Sequence, residues 1–290
     1  MTALLVSARS IHFASLMAIF GGSAYAALLR RAGLLESPPK SMRKLFVTSA
    51  LLAVVSGLVW FCLIAGQMSG SWQGSLDPAV LRLAASATRF GQIFLGRLTG
   101  LAVLVLLCSL SKSSDSLAIP ILTGLILAAL GRVSHAAAST SDIISFGAIT
   151  DAAHLLTAAF WLGGLMALAI FLRRHWGDRD SMLAALQVFS TRGSVAVAVL
   201  VISGVINATS ILPVSQMSLH NWYFELLVLK VAPALVMVGL ASLNRWRFAP
   251  SLRTDAELAS QHLKVSVRIE IALGLLIVAI TGLLGITPPH

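Results

Sequence analysis

The chain has 290 residues, of which 57% are hydrophobic and only 11% charged, with a mean hydropathy of +0.89 and a net charge of +10. Long apolar runs recur along its whole length, which excludes a soluble globular domain and reads as an all-α, polytopic transmembrane helical bundle. The basic residues sit in short loops beside those runs, as cytoplasmic loops do, so the positive charge points to a lipid bilayer and not to nucleic acid.

About eight helices are expected, each approaching the ~20 residues that cross the hydrocarbon. The first, over about 8–29, carries His12 and then Met17. Arg9, the run Ile11–Phe20 and Gly-Ser-Ala-Tyr-Ala also read as a signal peptide with an A-x-A-like site. Arg30 and Arg31 follow at once and resist export, so the segment is taken as a span. The second, about 45–68, ends on Met68, with Trp72 just beyond. The third, about 90–110, contains Gly96-xxx-Gly100; with Gly21-Gly22 and Gly163-Gly164 it offers small surfaces for close helix packing. The fourth, about 117–135, starts beside Pro120 and closes on Arg132 and His135.

The fifth, about 148–172, opens with Asp151 and His154 on one helical face. The sixth, about 191–212, holds Asn207 after Ser203-Gly204, and Met217 and His220 lie in the loop that follows. The seventh, about 222–243, holds Glu225 and Lys230, whose spacing is poor for a pair within one helix, so each is expected to reach a neighbour. The eighth, about 266–286, starts near Glu270, which beside Arg268 is expected at the interface. No repeat is obvious. No segment between runs reaches the ~50 residues of a separate soluble domain, so residues 1–290 are expected to form one membrane domain. Cys62 and Cys108 fall near opposite faces and are not expected to pair.

Alternating the sides of successive spans divides the charges unevenly. Arg30, Arg31, Lys40, Arg43, Lys44, Lys112, Arg173, Arg174, Arg179, Arg192, Arg245, Arg247, Arg253, Lys264 and Arg268 share one face; Arg9, Arg82, Arg89, Arg97 and Arg132 share the other. The positive-inside rule then places both termini on the periplasmic side.

That count also gathers four of the seven histidines, His12, His135, His154 and His220, at the outer edge. Imidazole is costly in lipid and a common transition-metal ligand, so a shared metal site is expected there, with His12, His135 and His154 as its best trio. Asp151 would orient His154 through its second nitrogen, or serve as a helix N-terminal charge. Met217 with His220 adds a thioether, and thioether with imidazole suits Cu(I), while imidazole also suits Cu(II). Glu225, Lys230 and Asn207 are the intramembrane polar groups that would line a path. There is no P-loop, phosphorylated-aspartate segment or HExxH motif, so neither ATP-driven pumping nor a zinc protease is expected.

The stretch Asp151-Ala-Ala-His154-Leu-Leu-Thr-Ala-Ala-Phe-Trp161-Leu-Gly163-Gly164-Leu resembles the hallmark of the CopD family, the copper resistance D membrane proteins. Ala8-Arg-Ser-Ile-His12, His135, Ser203-Gly-Val-Ile-Asn207-Ala, Tyr223-Phe-Glu-Leu-Leu-Val-Leu-Lys230, Glu270 and Pro288-Pro289-His290 match in the same order. The resemblance implies an eight-helix protein of the bacterial inner membrane that moves copper from periplasm to cytoplasm, often beside a periplasmic copper protein of the CopC type. It also implies that His12, His135 and His154 handle the copper. A transporter is therefore expected in preference to an enzyme. The alternatives are a haem b or copper membrane redox protein, such as a cupric reductase, and a copper-binding sensor or assembly factor that transports nothing.

Overall fold

A computed structural model describes residues 1–110, 117–131, 146–212, 217–218 and 221–288. Among these residues there is no strand. The helices are α1 (Thr2–Arg31), α2 (Lys40–Ser69), α3 (Pro78–Ala87), α4 (Arg89–Leu110), α5 (Ala118–Gly131), α6 (Phe146–Arg174), α7 (Arg179–Ile211), α8 (Trp222–Leu243) and α9 (Ala256–Leu284). A π-helical turn, Asn244–Phe248, extends α8. The protein is a multi-span membrane protein, with seven helices long and apolar enough to cross a bilayer among the described residues.

Helices α7 and α9 begin well before the apolar stretch that the sequence marks, each opened by a polar cap. Asp178 accepts from the Ser181 N–H at the start of α7 and Asp255 from Leu258 at the start of α9; Asn221 accepts from Tyr223 and Phe224 at the start of α8. Helix α3 lies between the second and third expected spans. Asp77 caps it and Pro78 fills its first position, where a missing N–H costs nothing.

Helix α5 is apolar but shorter than those seven within the described residues. Arg9 Nη1 donates to the Gly285 carbonyl at 2.9 Å, so the start of α1 lies against the end of α9.

The centre of the bundle is the α1–α6 pair. Helix α2 packs on α1 and α7 on α6, while α5 and α9 each touch both central helices. At the crossing the two backbones meet: a Cβ added to Gly21 would collide with the Ala159 carbonyl oxygen, and one added to Gly163 with that of Met17. Each following glycine seats an aromatic ring. A Cβ on Gly22 would lie 2.8 Å from Phe46 Cε1, and one on Gly164 2.8 Å from Phe189 Cε2. Tyr25, buried beside this crossing, donates to the Ala185 carbonyl at 2.8 Å and ties α1 to α7. Gly96, by contrast, faces open space, and Gly100 meets only the side chains of Ile126 and Leu122. The Gly96-xxx-Gly100 spacing marks no backbone contact.

These contacts expose a repeat that the sequence hides. One constant shift in numbering carries His12 onto His154, Met17 onto Ala159 and Gly21-Gly22 onto Gly163-Gly164. A second carries Ala53, Ser56 and Gly57 of α2 onto Leu200, Ser203 and Gly204 of α7. A third carries both ends of α4 onto both ends of α8, each 22 residues long, and Arg97 onto Lys230. The shifts divide the bundle into two halves, relating α1, α2 and α4 to α6, α7 and α8 about a local pseudo-two-fold axis where Gly21 meets Gly163.

Replacing Gly163 by leucine is expected to destabilise the protein by more than the ~1–3 kcal/mol of ordinary overpacking, because backbone cannot yield. Gly96→Ala should change stability by less than ~0.5 kcal/mol. Thermal unfolding in detergent reads both; a Gly163→Leu protein as stable as wild type would contradict the crossing.

Candidate metal-handling site

Each half builds one histidine site on the same plan. In the first, α1 presents His12, which is completely buried. Its Nδ1 lies 2.8 Å from the Ala53 carbonyl oxygen of α2, with Ser56 Oγ at 3.5 Å. Its Nε2 lies 2.6 Å from Arg97 Nη2 of α4. A carbonyl only accepts and a guanidinium only donates, so His12 is neutral, with its proton on Nδ1 and its Nε2 lone pair held by Arg97. Both ring nitrogens are engaged. Trp60 closes the pocket, edge-on to His12 at 5.7 Å, with Arg9 and Arg97 over its ring at 5.1 and 5.9 Å. Phe61, Phe90 and Phe94 stack between α2 and α4.

In the second half, α6 presents His154. Its Nδ1 lies 3.1 Å from the Leu200 carbonyl oxygen and 3.2 Å from Ser203 Oγ, the register equivalents of Ala53 and Ser56. A Cβ on Gly204 would lie 3.2 Å from the His154 ring, as one on Gly57 would lie 3.1 Å from that of His12. Glycine at both positions lets each ring lie against the neighbouring helix.

The halves then diverge. Lys230 stands where the first half has Arg97, and its charge acts on His154, yet it makes no hydrogen bond to the ring. Asp151, at the position of Arg9, acts electrostatically on Lys230 and on Tyr223. Helix α8 packs on α9 and barely touches α7, whereas α4 packs directly on α2. Trp60 has its register counterpart in Asn207, which is too small to close the pocket in the same way. His154 is therefore part-buried, with Nδ1 anchored and Nε2 free of any partner among the described residues. A ring held through one nitrogen by a carbonyl, with the other bare, is the arrangement that metal-binding imidazoles adopt.

The sequence-derived candidates separate accordingly. His12 and His154 share no hydrogen-bond partner; one faces α2 and α4, the other α7. Asp151 was expected to orient His154 or to serve as a helix N-terminal charge; the Leu200 carbonyl and Ser203 Oγ flank Nδ1 of the ring. The charge of Lys230 acts on His154 and Asp151 of α6. Glu225 is exposed, Asn207 is half-buried, and Met217 packs against the apolar group of Leu212, Tyr223, Leu226, Ile280 and Leu284. His135 and His220 lie outside the described residues. Among the described residues, no three His, Cys, Asp or Glu side chains are placed to hold one metal ion. Cys62 and Cys108 are both free. Glu270, expected at the interface, is instead 1% exposed and accepts from Asn244 Nδ2 at 2.6 Å. Arg97 was read only as an outer-face charge; its place one histidine-length from α1 is invisible without the fold.

Comparison with known proteins finds two family-model matches along the chain. Residues 1–146 match the family model for the copper resistance protein D-like N-terminal domain, and residues 183–284 match that for copper resistance protein D. The chain belongs to the copper resistance protein D family. It is 28% identical to copper resistance protein D of Pseudomonas syringae pv. tomato, over 98% of this chain and 96% of that one. It is 27% identical to the inner membrane protein YebZ of Escherichia coli K12, over 98% of both chains. A third relative, the copper transport protein CutJ of Bacillus subtilis 168, is 27% identical over 60% of this chain and 34% of its own length. No solved structure matches the chain.

The two histidines of this family member should differ in what they hold together. His12→Ala leaves Arg97 buried without its acceptor and is expected to cost about 3–5 kcal/mol. His154→Ala removes one hydrogen bond of a part-buried ring, about 1 kcal/mol. Unfolding midpoints of the two variants in detergent test the difference; equal losses would contradict the closed and open assignments.

Proposed function

We propose that this protein is a copper permease of the bacterial inner membrane, with both termini periplasmic, that takes up copper at His154 and passes it toward the cytoplasm. The observation that carries the reading is Nε2 of His154, which has no hydrogen-bond partner among the described residues while Nδ1 is held by the Leu200 carbonyl and Ser203. Copper is the cargo, and it arrives as a free ion or from a periplasmic donor of the CopC type. One imidazole is too few for a stable complex, which suits a transient acceptor. His135 and His220 lie on the two segments that lead into α6 and α8, and they supply the further ligands. Imidazole accepts both Cu(I) and Cu(II).

The neighbouring charges fit a cation on the move. A copper ion beside Lys230 alone would meet strong repulsion in a low-dielectric surrounding. Asp151 offsets Lys230 and leaves the site tolerable for a second positive charge. His12 is a structural latch in this scheme: with Arg97 on its Nε2, it has no lone pair to offer a metal. The same engagement argues against axial haem ligation by His12, which needs an open imidazole nitrogen.

Purified protein in liposomes with external copper tests the proposal. His154→Ala is expected to abolish uptake while the amount of membrane-inserted protein stays normal. Asp151→Asn is expected to lower copper affinity about tenfold, the effect of roughly 1.4 kcal/mol. Normal uptake by His154→Ala would overturn the assignment of His154, and copper bound without uptake by the wild type would make the protein a sensor.

A further inference from the structure

A second polar site lies in the other half of the membrane, well away from the histidines. Glu270 of α9 is 1% exposed, and Asn244, at the first position of the π-helical turn, donates Nδ2 to its Oε1 at 2.6 Å. Glu270 Oε2 and Asn244 Oδ1 make no hydrogen bond there within strict geometry, and the hydroxyl of Ser266, one turn earlier on α9, is near enough to act on the Glu270 carboxyl. A buried carboxyl group and an amide oxygen left short of donors are costly in a membrane interior. A bound cation removes that cost. A π-turn inserted at the end of a helix is a frequent mark of a functional site, and here it sets Asn244 against α9.

Among the described residues, no fixed cation fills this role. In the π-turn, Arg245 donates to Ser194 and Ser190 of α7 and lies over Trp246. Arg247 and Arg268 are exposed, His262 lies against Phe248, and Lys264 lies over Trp176. From α6, the contact to α9 one turn outward is Leu162 against Gly274, and the titratable groups of that helix end, Arg173, Arg174 and His175, lie two or more turns inward. The donors are all oxygen, which suits a hard ion and not copper.

We infer that Glu270, Asn244 and Ser266 form the binding site for a monovalent hard cation, a proton or a sodium ion, whose movement is coupled to that of copper. The site rests on the permease reading for its role, though not for its existence. Counting ~1.5 Å per residue from His154 to Leu162 and from Gly274 to Glu270 puts it ~18 Å along the bundle axis from His154. The two stations therefore lie toward opposite faces, joined through α6 and α9. A coupling ion on the inner side would let an ion gradient drive copper that the outer site has captured.

Infrared difference spectra of the copper-free protein, compared with Glu270→Gln, test the site without any transport. Removing sodium or lowering pH should raise a protonated carboxyl band that Glu270→Gln lacks. A band reversed by sodium at fixed pH identifies sodium as the ligand, and one that follows pH alone identifies the proton. Absence of any Glu270 band across both titrations overturns the site. Liposomes then test the coupling: an imposed gradient of the identified ion should speed wild-type copper uptake at least about fivefold. Glu270→Gln, nearly isosteric, should still bind copper and lose the stimulation, and Ser266→Ala should weaken it. A Glu270→Gln protein stimulated like wild type, or a wild type stimulated by neither gradient, overturns the coupling. Loss of copper binding in the wild type, with the carboxyl band present, overturns the permease reading and leaves the site standing.

Discussion

Where α1 crosses α6, two backbones touch with no side chain between them, and the remaining helices are arranged around that contact. Gly21 and Gly163 each lie against the other helix's carbonyl oxygen, so neither position tolerates a Cβ. In lipid the hydrophobic effect does not drive helices together, and association depends on close packing and interhelical hydrogen bonds. The crossing supplies the first and the Tyr25–Ala185 bond an example of the second. Because equivalent residues meet at the crossing, the contact also generates the pseudo-two-fold axis. Each half then repeats one construction: a histidine two turns before the glycines, a carbonyl and a serine on the next helix, and a cation on the one after.

The two histidine sites differ because their charges are partnered differently. Arg97 has the His12 lone pair and the face of Trp60, and no ion pair with a carboxylate is seen among the described residues. Lys230 has Asp151 acting on it from α6, and so it does not have to take the imidazole. A single change, Arg9 in one half against Asp151 in the other, thus tracks with a closed site and an open one. The two pockets share one plan, and their charges differ where one histidine has both ring nitrogens engaged and the other, among the described residues, only one.

The seven long apolar spans among the described residues were legible because length and hydropathy are properties of each segment alone. The repeat was not, because it survives at few positions and the shift differs between α1, α2 and α4. Elsewhere one apolar residue serves as well as another. Helix α3 escaped because it is short and amphipathic, although Asp77-Pro78 announces its start. Glu270 was placed at the interface because Arg268 is adjacent; the π-turn that carries Asn244 onto it leaves no mark in hydropathy. Small-residue spacing picked out Gly21-Gly22 and Gly163-Gly164 together with Gly96-Gly100, and only the fold shows which of them face a backbone. The partners of His12 and His154 are mostly backbone carbonyls, which no residue pattern encodes.

The central claim is that His154 keeps an accessible ring nitrogen while His12 does not. Nitrogen NMR of histidine-labelled protein in detergent micelles, titrated with silver(I) as a diamagnetic substitute for Cu(I), tests it most directly. The account predicts that the His154 Nε2 resonance moves on metal addition while both His12 nitrogens hold their positions, with Nδ1 protonated throughout. A shift at His12 Nε2 with His154 unmoved would contradict it.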